Sequence, residues 1–91
     1  MAKVSVEKSA VEKSIILCER TIKHYEDAAD YLEKQYRMAG SGWNDVKYRQ
    51  LGEVVHDCTT ALNRPLSELQ ECLDKLRMLL KAIEQYENEN L

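Results

Sequence analysis

The stretch Ala39-Gly40-Ser41-Gly42-Trp43-Asn44-Asp45 decides the fold. It holds two of the three glycines and the only tryptophan in a chain of 91 residues. Helix interiors avoid glycine because it surrenders the most backbone entropy on ordering. Gly40 fits the C′ position of a helix ending near Met38, where a left-handed residue commonly closes the last turn. Asn44 suits the N-cap of a following helix, and Asp45 sets a negative charge in its first turn. Trp43 then precedes the cap and Tyr48 takes the fourth helical position, the pairing of a hydrophobic staple. Helix, tight reversal, helix: the expectation is an antiparallel hairpin.

Working outward, one domain over residues 1–91 is expected, with helices over about 5–38 and 44–88 and a turn over 39–43. The first helix carries a 4-3 apolar repeat through Val11, Ile15, Cys18, Ile22, Tyr25, Ala29, Leu32 and Tyr36. Ser5 and Ser9 are alternative caps for its start, the latter followed by Glu12 as in a capping box. The flanks of this seam differ. Glu12, Glu19, Glu26 and Glu33 recur every seven residues on one side and read as solvent-facing. On the other side stand Ser14, Thr21, Ala28 and Gln35, then Leu17, His24, Tyr31 and Met38, so the contact surface is expected to widen there.

The second helix repeats through Leu51, Val55, Cys58, Leu62, Leu66, Leu69, Leu73, Leu76, Leu80 and Ile83. Two steps of four in succession, from Cys58 to Leu66, form a stutter that locally unwinds a coiled seam. Pro65 lies inside it, removing one backbone hydrogen bond at a cost of about 3 kcal/mol in a helix interior. A kink over residues 61–65 is expected, with a full break recapped by Asn63 as the alternative. Cys72, Leu79 and Tyr86 add a further apolar row.

Several apolar rows along both helices suit a bundle in which each helix has two neighbours. Pairing with a second hairpin, identical or different, into a four-helix bundle is therefore expected. Its interface would draw on Leu17, Tyr31, Met38, Leu66, Leu69, Leu73, Leu76, Leu79, Leu80 and Ile83. The helices are unequal, roughly 50 Å and 65 Å long at 1.5 Å per residue. On that count the first runs out opposite Met78 and the tail from Leu79 overhangs, as a recognition element or as surface covered by the partner.

Composition narrows the function. The chain is 44% hydrophobic and 32% charged, with net charge −3, which disfavours nucleic-acid or anionic-membrane binding. No apolar run approaches the roughly 20 residues of a membrane span, and the N-terminus has no apolar signal-peptide core. Cys18, Cys58 and Cys72 lack metal-type spacing and read as small buried hydrophobes in a reducing compartment. Glu53 and His56 have the spacing of di-metal carboxylate bundles, but on the helix wheel they cannot face one interior together. His24 reads as an interface or surface residue. No nucleophile sits in a strained turn beside a histidine, and the glycine-rich turn lacks a phosphate-binding pattern. No catalytic residue, cofactor or metal site is expected, and the chain reads as cytoplasmic.

The plan resembles the WXG family of small helical-hairpin proteins, the early-secreted-antigen type exported by type VII secretion systems. The likeness in architecture runs from about Val11 to Tyr86, and its specific motif is Gly42-Trp43-Asn44-Asp45. Two departures matter. The family motif is Trp-x-Gly where this chain has Trp43-Asn44-Asp45, and the family's tyrosine followed four residues later by an acid here meets Asn90 after Tyr86, with Glu89 one residue early. The resemblance implies a non-catalytic pairing protein, a homodimer or heterodimer exported without a cleaved signal, or a targeting chaperone for a larger effector with a helical N-terminal domain. It makes Tyr86 and Glu89 a candidate C-terminal recognition signal. A cytosolic helical-bundle adaptor or structural dimerisation protein unrelated to secretion is the alternative.

Overall fold

The computed structural model describes residues 2–40 and 45–89, with side chains from residue 7 onward. It is all-α: helix α1 spans Ala2–Ala39 and helix α2 spans Asp45–Glu89. They form the expected antiparallel hairpin. Gly42, Trp43 and Asn44 lie outside the described residues, and with them the Asn44 cap and the Trp43 staple. Asp45 opens α2, where its charge complements the helix dipole. Among the described residues no helix is long and apolar enough to cross a membrane.

α1 exceeds its expected bounds at both ends, whereas α2 keeps its expected length to within a residue at each end. α1 runs through Ser5 and Ser9, so neither caps its start. α2 runs through Pro65 without interruption, so the break at Asn63 does not occur. The lost hydrogen bond is tolerated where Leu66, immediately after Pro65, is buried and anchors that turn.

Contacts divide the hairpin into two compact units, Met1–Ile22 with Glu68–Leu91, and Lys23–Ser67. In the first, Val11, Ile15, Cys18 and Ile22 turn inward from α1, and Leu69, Leu73, Leu76, Leu80 and Ile83 from α2. The Cys18 thiol donates weakly to the Leu69 carbonyl, 3.8 Å away. At the far end Lys8 Nζ lies 3.6 Å from a Glu87 carboxylate oxygen. The expected overhang is therefore absent: α1 accompanies α2 as far as Glu87, and Leu80 and Ile83 are half-buried seam residues.

In the second unit, Tyr25, Ala29, Leu32 and Tyr36 face Tyr48, Leu51, Gly52, Val55, Thr59, Leu62 and Leu66. Tyr48 stacks on Tyr36 rather than serving only its own helix. Gly40 was expected to close α1 in a left-handed conformation, yet no described glycine has a positive φ. Its role is space: a Cβ there would come within 2.8 Å of the Tyr48 ring.

One register assignment needs correcting. Thr59 is buried and Cys58 exposed, so the doubled step of four falls at Leu51, Val55 and Thr59. Hydropathy favours cysteine over threonine at such a site. However, the Thr59 hydroxyl donates to the His56 carbonyl at 3.0 Å, which satisfies it locally and removes most of the burial penalty.

Candidate interaction surface

A heptad helix that turns one stripe toward its partner leaves the neighbouring rows exposed, and here those rows are chemically unequal. On α1 the row Glu12, Glu19, Glu26 and Glu33 is exposed. Glu19 accepts a hydrogen bond from Arg77 of α2 at 3.2 Å, closing that edge with an ion pair. The opposite edge carries no formal charge from Ser14 to Tyr31 in its two rows, Ser14, Thr21 and Ala28 beside Leu17, His24 and Tyr31. Leu17 is 65% exposed and Tyr31 63%.

Two hydroxyls on this edge are turned inward to the backbone. Ser14 donates to the Ala10 carbonyl and Thr21 to the Leu17 carbonyl, each at 2.8 Å. Bonding to the carbonyl one turn back leaves the methylene of serine and the methyl of threonine as the outward surface. The edge is thus less polar than its composition suggests.

α2 contributes a matching flank. Cys72, Leu79 and Tyr86, seven residues apart, are all exposed, as is Met78. The cysteine expectation therefore fails at two of three sites: Cys18 is half-buried, whereas Cys58 and Cys72 are exposed free thiols. They stand in the row beside the seam, where a helix with one neighbour leaves them uncovered.

The residues expected at a partner interface separate into two groups. Leu66 and Leu73 are buried, and Leu69, Leu76, Leu80 and Ile83 half-buried, in the seam between the protein's own helices. Leu17, Tyr31, Met38, Leu79 and Tyr86 are exposed, and Glu89 is exposed at the end of α2. Sequence reading missed exposed Ile16, Val46, Val54 and Met78, none of which continues a row of large apolar residues at seven-residue spacing. Equally telling is the core. Among the described residues no side chain is fully buried, and Ile22, Leu66 and Leu73 remain 7–9% exposed.

In the unit Lys23–Ser67 an open groove of about 310 Å³ runs past Glu33, Tyr36, Arg37, Gly52, Val55, His56 and Thr59. Glu53 and His56 are exposed, and among the described residues no three His, Cys, Asp or Glu side chains group as metal ligands. The Tyr36 phenol is held above its usual range, chiefly by a hydrogen bond with Tyr48, then by desolvation and by the charge Tyr48 could carry. Compared with known proteins, the chain matches no family model, no curated protein and no solved structure.

Proposed function

We propose that this protein is a non-catalytic pairing module, a small WXG-like protein of type VII secretion that acts as a secreted dimer or as partner and targeting chaperone of a larger effector. The carrying observation is the exposed, uncharged edge of α1, on which Leu17 and Tyr31 stand in water beside a seam with no fully buried side chain among the described residues. Burying a large apolar side chain contributes about 1.5–3 kcal/mol, and small domains have little stability without such burial. A further helical surface laid on this edge supplies it.

The secretion assignment rests on the turn motif Gly42-Trp43-Asn44-Asp45, the hairpin plan and Tyr86 near the C-terminus. The absence of Trp-x-Gly and of an acid four residues after Tyr86 favours a second reading, a cytosolic helical-bundle adaptor or dimerisation protein. Both readings make pairing the activity.

Light scattering and a melting curve on the protein expressed alone test the pairing. A folded species of twice the chain mass supports it, as does a poorly folded chain that becomes ordered with a helical partner. A well-folded monomer with sharp cooperative melting overturns it. Assaying culture medium of the host for the protein, alongside a lysis marker, separates the two readings. Export that is lost in Tyr86→Ala with folding intact supports secretion, and retention in the cytoplasm supports the adaptor.

A further inference from the structure

We infer that the hairpin opens in two steps: Lys23–Ser67 comes apart first, while Met1–Ile22 stays paired with Glu68–Leu91. The inference goes beyond pairing and concerns the single chain. Its ground is the unequal chemistry of the two seams, each judged by itself.

In the unit Met1–Ile22 with Glu68–Leu91, the seam is aliphatic. Apart from Cys18, its seam residues from Val11 to Ile22 and from Leu69 to Ile83 are Val, Ile or Leu. Ile22 and Leu73 are buried.

The seam of Lys23–Ser67 gives three positions, Ala29, Gly52 and Thr59, to side chains with little or no apolar surface. Thr59 and Leu66 are its buried residues among those described, and Leu66 stands at its edge. The Thr59 hydroxyl is bonded within its own turn, to the His56 carbonyl, and so adds no bond across the seam. Tyr36 and Tyr48 do stack across this half. One stacked pair is a smaller gain than large aliphatic burial at three positions. Local stability follows buried apolar contact, so this half has the weaker hold.

The backbone sets the limit of the opening. Pro65 lies two residues before the end of this unit and has no N–H, so the Ala61 carbonyl lacks its helical donor. α2 gives way there at less cost than elsewhere, leaving Glu68–Leu91 helical. Opening uncovers Tyr25, Leu32, Leu51, Val55 and Leu62, which the closed hairpin keeps half-buried.

Native-state hydrogen exchange, read residue by residue by NMR on the full chain, is the test. Amides from Ile15 to Ile22 and Leu69 to Leu80 are expected to be about tenfold or more better protected than those from Tyr25 to Leu32 and Leu51 to Leu62. Ile15→Val weakens only the seam that survives the first step. It is expected to lower protection about two- to tenfold from Ile15 to Ile22 and Leu69 to Leu80. Protection from Tyr25 to Leu32 and Leu51 to Leu62 should not change, because the first step leaves position 15 paired. Equal protection in both halves, or the reverse order, overturns the inference. So does an Ile15→Val effect of equal size in both, which makes the hairpin a single cooperative unit. Each comparison is internal to one sample, and solution mass tests pairing separately.

Discussion

Tyr36 and Tyr48 stack with ring centroids 4.3 Å apart and planes 8° from parallel, clasping the two helices near the turn. Each ring occupies room left by a glycine: Tyr48 over Gly40, and Tyr36 over Gly52, where a Cβ would lie 2.7 Å from the Tyr36 hydroxyl. A glycine inside a helix that should disfavour it is thus explained by the ring on the opposite helix.

Gly52→Ala sets two effects against each other. The helix gains about 1 kcal/mol from alanine, while displacing Tyr36 forfeits about 0.5–1.5 kcal/mol of aromatic stacking. The net change is expected to stay within about 0.5 kcal/mol. In a Tyr36→Ala background the full gain of about 1 kcal/mol should emerge. Denaturant melts of the four variants read the coupling, and simple additivity would remove the ring as the reason for the glycine.

The same pair has a pH signature. The hydrogen bond with Tyr48 raises the Tyr36 pKa above the ordinary 10.0, favouring the neutral phenol in the folded state. Its contribution to stability is therefore complete below the unfolded value and lost as pH rises through the higher folded one. Ultraviolet titration of the phenols should show one tyrosine ionising late, and Tyr48→Phe should return it toward its ordinary range. Unchanged titration in that variant would discount the bond.

The hairpin was legible because Val11 through Tyr36 keep an unbroken repeat and the glycines sit between two such patterns. Periodicity reports which face is apolar and says little about which of two adjacent apolar rows faces inward. Leu69 and Leu79 are equally apolar, yet one lies in the seam and the other is exposed. Thr59 displaced Cys58 through a hydroxyl bond that hydropathy does not register. Lys8 and Glu87 are charged, so apolar periodicity alone assigns neither to the seam.

Burial assigns very different weights to residues close together in α2. Leu73 is 7% exposed, so Leu73→Ala should cost about 2–4 kcal/mol through lost transfer energy and the cavity it leaves. Met78 is 72% exposed, and Met78→Ala should stay within about 0.5 kcal/mol. Equal losses by thermal or urea unfolding would contradict the register.

Lys8 and Glu87 stand where the repeat calls for apolar residues, and one Glu87 carboxylate oxygen is buried with no partner among the described residues. Such a pair fixes register, since sliding α1 by a turn would leave each charge facing an apolar side chain. It adds little stability, because both side chains are about a third exposed, 31% and 36%, and desolvation offsets the attraction. Replacing both with leucine is therefore expected to stabilise by about 1 kcal/mol, a rise of roughly 4–8 °C in Tm for a domain of this size. Lys8→Leu alone should do the reverse, by up to about 1 kcal/mol, because the Glu87 charge then sits in the seam uncompensated. Melts at one fixed protein concentration separate the two cases. A double variant less stable than wild type would mean that the ion pair contributes net stability as well as register.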